Sequence, residues 1–136
     1  RGTPANMQSN TDYVDLIGEV YSFLKESIKR ARQAGVAQWG IDPGLGFSKT
    51  VEGNFLLLKH MRHFANLGCP LLVGASRKSF IWKKLGKTVD EALEGSLSLA
   101  VLSRAAGAHI LRVHDVQASC RALRIADAVL QAEVES

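Results

Sequence analysis

Pro70-Leu-Leu-Val-Gly-Ala-Ser-Arg-Lys-Ser-Phe80 begins as an apolar run and ends in a polar cluster. Leu71, Leu72 and Val73 read as a short strand buried on both faces, the pattern of a parallel sheet. Gly74 and Ala75 are small enough to let a ligand approach the backbone. Ser76, Arg77, Lys78 and Ser79 then place two hydroxyls and two cations at the strand's carboxyl end. In α/β folds that end is where ligands bind.

Working outward, two further stretches have the same form: Ile41-Asp-Pro-Gly44 and Arg112-Val-His-Asp115. The polar residues Asp42, Lys78 and His114 lie 36 residues apart in both steps. Helical periodicity fills the intervals. Tyr13, Ile17, Val20, Tyr21, Leu24 and Ile28 mark a first helix, with Asn10 or Thr11 as N-cap. Phe55, Leu58, Met61 and Phe64 mark a second, from about Glu52 to Asn66. Ser76 is placed to cap a short helix through Phe80, Ile81 and Leu85. Thr88-Val-Asp-Glu91 matches a capping box and opens a helix with Val89, Leu93, Leu97, Ala100 and Val101 inward. Asp115 caps the last helix, with Val116, Cys120, Leu123 and Leu130 inward. Gly35, Gly68 and Gly107 each close a helix just before an expected strand, at Val36–Asp42, Leu71–Gly74 and Ala108–Val113.

A βα unit repeated at this length implies parallel strands with their polar ends on one face. That favours a (β/α)-barrel or an open doubly wound sheet. Only three strands are readable, whereas a barrel needs eight and usually about 250 residues. The expectation is α/β: the C-terminal half of a (β/α)8 TIM barrel, three parallel strands with flanking helices, the N-terminal half being absent or supplied by another chain. The opening Arg1-Gly-Thr-Pro4 reads as the middle of a longer chain.

The 136 residues carry 17 Lys plus Arg against 13 Asp plus Glu, a net charge of +4. The basic residues are scattered, which argues against a nucleic-acid partner and leaves anionic small molecules. No apolar run approaches the roughly 18 residues of a membrane span. No secretory signal is visible, and Cys69 and Cys120 read as reduced thiols of a cytoplasmic protein.

At the strand ends each residue has a chemical reading beside a structural one. Asp42 can accept a pair of parallel hydrogen bonds from a planar N–H edge, or it caps the Asp-Pro-Gly turn. Phe47 can lie against an aromatic ligand or fold back as a core anchor. Ser76 to Ser79 can bind an anion, or form a cap followed by solvated cations. Arg112 and His114, two apart on a strand, face one side and form a phosphate grip. The alternative for His114 is a satisfied buried imidazole. His109, at the strand's start, is structural. His60 and His63 have metal-ligand spacing but no third ligand nearby, and read as a packed or solvated face.

With these residues assembled, the chain resembles dihydropteroate synthase along essentially its whole length. The motifs are Ile41-Asp-Pro-Gly-Leu-Gly-Phe47, Leu72-Val-Gly-Ala-Ser-Arg-Lys-Ser79, Gly95-Ser-Leu97 and Gly107-Ala-His-Ile-Leu-Arg-Val-His-Asp-Val116, with Arg1-Gly-Thr-Pro and Met7-Gln8 before them. Trp82 and Ala92 depart from the family, which more often has Gly and Arg there.

The resemblance implies a transferase of folate biosynthesis. It condenses 6-hydroxymethyl-7,8-dihydropterin diphosphate with 4-aminobenzoate, releasing diphosphate. By position, Asp42 and Lys78 hold the pterin. Phe47, Arg77 and Ser79 line the aminobenzoate pocket, where sulfonamides bind. Arg112 and His114 take the diphosphate, and Lys78, Arg112 and His114 form the catalytic set. The resemblance also implies Mg2+, bound by an Asn in the N-terminal half, and a homodimer through the last two helices. The isolated chain is expected to be inactive. A pterin-binding methyltransferase domain shares the barrel and the Asp-Pro-Gly turn, but accounts less well for Ser76–Ser79 and Arg112–His114. A non-catalytic half-barrel is the remaining alternative.

Overall fold

The computed structural model describes residues 13–134. The stretches Arg1–Pro4 and Met7-Gln8 and the cap candidates Asn10 and Thr11 lie outside them. The elements run α1 (Leu16–Gln33), α2 (Val51–Lys59), α3 (Met61–Ala65), β1 (Leu72–Val73), α4 (Ser79–Leu85), a 3₁₀ turn at Val89–Glu91, α5 (Leu93–Ala105), β2 (Ile110–Leu111) and α6 (Val116–Leu130). The architecture is half of a (β/α)8 barrel, its strands parallel and its helices on the outside.

β1 is the central strand. Leu72 pairs with Ile110 and Val73 with Leu111 on one side, and Leu71 bridges Ile41 in parallel on the other. The Ile41 and Leu72 amides donate to the Pro70 and Ile41 carbonyls, each at 2.8 Å. The strand expected over Val36–Asp42 is thus reduced to Ile41. The neighbouring chain offers Pro70 at the next ladder position, and proline has no N–H to give. The third strand is also shorter than its apolar pattern, although the His109 and Arg112 amides still bond to the Leu71 and Val73 carbonyls.

The helices cover one face of this sheet. Leu71 and Val73 pack with Leu57, Met61, Phe64, Phe80, Ile81 and Leu99, while α1 adds Val20, Leu24 and Ile28. The reading of β1 as buried on both faces is corrected: Leu72 is only half-buried, and its partner Ile110 is 48% exposed. Alternation along the strand sends these two to the barrel's inner side, which no described residue covers to the same degree.

Several local expectations shift for identifiable reasons. α1 is capped by Asp15, whose carboxylate accepts the Gly18 amide at 3.0 Å, so Tyr13 precedes the helix. The second helix breaks at His60 (φ −100°, ψ 17°) into α2 and α3. Its buried side carries Asn54 and Leu57, with Leu58 only partly covered. The capping box forms, the Glu91 carboxylate accepting from the Thr88 amide at 3.2 Å. It opens only the 3₁₀ turn, however, leaving Val89 and Leu93 exposed. The inward residues of α5 are Ser96, Leu99, Ala100 and Ser103, and those of α6 are Ser119 and Ala126. Val116, Cys120 and Leu130 are exposed instead. Small residues let α5 and α6 lie close, and Arg104 ties them through Asp127 at 2.7 Å.

Candidate functional site

The loop after Ile41 is built from its own polar groups. Asp42 Oδ1 accepts the Gly44 amide at 2.8 Å, so the turn-capping role is realised. Each carboxylate oxygen has two lone pairs, so this bond leaves acceptor capacity for a ligand. Leu45 anchors the loop in the core at 2% exposure. Phe47 is thereby released from that duty and sits half-buried at the loop's tip. Two residues that sequence reasoning missed hold the loop. Asn54, buried on α2, accepts the Gly46 amide at 2.6 Å and donates to the Thr50 carbonyl. Lys49 donates to the Gly44 and Phe47 carbonyls, both at 2.8 Å. A Lys following a glycine-rich turn is the only signal that would have suggested it.

Burial pushes Lys49 down from 10.5 to about 8, against the attraction of Asp42. Between those two values the unfolded chain holds a proton that the folded chain has released, so Lys49's penalty on stability fades as pH rises through that window. We expect NMR of labelled lysine side chains to give Lys49 a midpoint of about 8. Lys49→Met should abolish the gain in thermal stability across this range. A Lys49 midpoint above 10 would contradict the assignment.

Lys78 lies beside this loop. Its ammonium sits 4.0 Å from the centroid of the Phe47 ring, a cation–π geometry. Its stem runs past Gly46, where an added Cβ would come within 3.0 Å of Lys78 Cδ. Burial first, and then the Arg112 charge, hold the Lys78 pKa below the usual lysine range, with Asp42 opposing.

The Arg112 guanidinium occupies the hollow over Gly74, since a Cβ there would stand 2.9 Å from Arg112 Nη2. The space that sequence reasoning reserved for a ligand at Gly74 is therefore taken by Arg112. β2 ends at Leu111, so strand alternation does not account for the pairing of Arg112 with His114. Both nevertheless line one cleft of about 330 Å³ with Phe47, Gly74, Ser76, Lys78 and Val113. A larger cleft of about 710 Å³, toward α1, is lined by Asp42, Gly44, Phe47 and Lys49 among others. Phe47 is common to both.

Ser76 does not cap α4. Its Oγ accepts the His114 amide at 3.1 Å and lies 3.0 Å from His114 Nδ1. Arg77 makes a two-bond pair with Asp115, Nη2 to Oδ1 at 2.7 Å and Nε to Oδ2 at 3.2 Å. Hydrogen bonding within this pair raises the Arg77 pKa and lowers that of Asp115. Asp115 stands at the N-cap of α6 but makes no capping bond. Ser79 opens α4, exposed, and lines neither cleft. His109 accepts the Leu71 amide through Nδ1 at 3.1 Å, a sheet-edge role. His63 stacks on Tyr21, with ring centroids 4.3 Å apart.

The strand ends thus gather two cations, an imidazole and an aromatic ring around one cleft, with a carboxylate and a half-buried lysine in the next. Such an arrangement suits a planar aromatic ligand carrying negative charge.

A family model described as pterin binding enzyme matches residues 1–114. The dihydropteroate synthase of Escherichia coli K12 is 42% identical over 135 residues, covering 98% of this chain and 48% of that protein. Among solved structures, the dihydropteroate synthase of Stenotrophomonas maltophilia with active-site-bound imidazole aligns at a TM-score of 0.94 and 37% identity, over 98% of this chain and 52% of that one. The Thermus thermophilus enzyme in complex with 4-aminobenzoate aligns at 0.90 and 38%, over 94% and 53%. The chain spans about half the length of the curated relatives it matches.

Proposed function

Because the chain belongs to the pterin-binding enzyme family, we propose that it forms the C-terminal half of a dihydropteroate synthase of cytoplasmic folate biosynthesis. One observation carries this reading: Lys78 over Phe47 shares a cleft with Arg112 and His114. Asp42 accepts from the pterin's planar N–H edge. Lys78 lies between the pterin and 4-aminobenzoate, with Phe47 against the aminobenzoate ring and Ser79, at the exposed start of α4, toward the same pocket. Arg77, which the resemblance also places at that pocket, has its guanidinium on Asp115. The same pocket would take sulfonamides.

The reaction breaks the carbon–oxygen bond of the pterin methylene. The electron pair leaves with diphosphate, and the aminobenzoate nitrogen attacks the electron-poor carbon and sheds a proton. Arg112 and His114 offset the charge as it grows on the leaving group, a contribution that is often the largest in such sites. No enzyme nucleophile is needed.

Magnesium, implied by the resemblance, finds no cluster of three His, Cys, Asp or Glu among the described residues. Its ligand on this reading belongs to the N-terminal half. The exposed Leu102, Val116, Ile125, Val129 and Leu130 on α5 and α6 support a homodimer through these helices.

The test is the full-length protein given both substrates. Dihydropteroate and diphosphate should form in equal amounts, from a species sedimenting at twice the monomer mass. The 136-residue chain alone should release no diphosphate, since half of the pocket is elsewhere. Methyl transfer from a methylated pterin, without dihydropteroate formation, would favour the methyltransferase alternative. Binding of neither substrate would favour a non-catalytic half-barrel.

A further inference from the structure

We infer that Asp115 is a positioning residue for the strand-end site, acting through Arg77. This rests on the proposed synthase reading for its substrate and on the clasp geometry for everything else. Ala75 to Lys78 form a tight turn closed by the Lys78 amide on the Ala75 carbonyl at 3.1 Å. Arg77 occupies the third position of that turn with φ +54°, a conformation normally left to glycine. A glycine would take it without strain, so an arginine here is explained by what its side chain does. The side chain reaches Asp115, 38 residues on, through two hydrogen bonds. The Arg77 amide in turn donates to Ser96 Oγ at 3.0 Å, and Ser96 is itself fixed on the Ala92 carbonyl at 2.6 Å.

The pair is partly open to water, with side-chain exposures of 44% and 25%. An ion pair so placed contributes little to stability. What it does is geometric. It joins the loop carrying Lys78 to the loop carrying His114, beside the parallel link from Ser76 to His114. Two adjacent residues of one loop thus grip two adjacent residues of the other. The strained turn between them sets where Lys78 leaves the backbone, and so where its ammonium meets Phe47. Asp115, standing where a helix cap belongs, gives its carboxylate to this clasp and leaves α6 without a side-chain cap.

The experiment uses the full-length protein with Asp115→Asn, Arg77→Gly and the double substitution. In the ligand-free protein, amide exchange at Lys78 should quicken at least tenfold in Asp115→Asn, with the melting temperature nearly unchanged. With substrates, each single change should raise the KM for 4-aminobenzoate about tenfold, and the double should be no worse than the poorer single. Asp115→Glu should recover part of the loss. Unchanged exchange would overturn the clasp. Faster exchange with an unchanged KM would overturn the positioning role. Additive losses in the double would show that the two residues act separately, and would overturn the route through Arg77. A wild-type protein inactive on both substrates would sink the synthase reading instead, and the exchange result would still judge the clasp.

Discussion

Lys78→Ala in the full-length protein is expected to lower kcat/KM by roughly 10²-fold, the scale seen when one preorganised donor is removed from a reacting centre. The loss should fall on both substrates, because the ammonium sits over the Phe47 ring and feels both the Asp42 and the Arg112 charges. Calorimetry should show weaker binding of the pterin and of 4-aminobenzoate together. Stability should hardly change. The fold lowers the Lys78 pKa mainly by burial, so the charged group is carried at some cost, and its removal relieves that cost. A loss confined to one ligand, or one under about threefold, would reject Lys78 as the junction of the two sites.

Arg112→Ala should separate cleanly from this. Charge-assisted hydrogen bonds contribute about 1.5–3 kcal/mol, so affinity for the diphosphate-bearing pterin, and for inorganic pyrophosphate alone, should fall by roughly 10- to 10²-fold. Affinity for 4-aminobenzoate should stay within about threefold. The guanidinium's seat over Gly74 fixes it just past the end of β2, with His114 in the same cleft. Titration with pyrophosphate decides the matter without turnover. Equal affinities for wild type and variant would remove Arg112 from the leaving-group site.

The architecture was legible because a repeating βα unit imposes its own ruler. Asp42, Lys78 and His114 recur at one spacing, and the glycines that close the helices all take positive φ at Gly35, Gly68 and Gly107. The gathering of Lys78, Arg112 and His114 in one cleft followed from that ruler. What escaped depends on partners distant in sequence or on irregular backbone. Nothing local says that Asp115 answers Arg77, or that Ser76 turns to His114 instead of capping α4. The hold of Asn54 on the Gly46 amide belongs to a loop whose path no periodicity describes. The break at His60 is hidden because α2 and α3 keep apolar residues in step on either side of it. Apolar pattern alone also misjudged α6, whose inward side is lined by small residues while the large ones face out.

The two hollows that seat the site's cations bear on how such a pocket can be re-engineered. Lys78 and Arg112 each lie where a glycine supplies no side chain, at Gly46 and Gly74. A mutagenesis library aimed at new substrate preferences would naturally vary every lining position. Codons 46 and 74 should be held fixed in it, because any larger residue there displaces a cation before the intended change is ever read. Diversity is better placed at Val113, which lines the cleft without holding either cation.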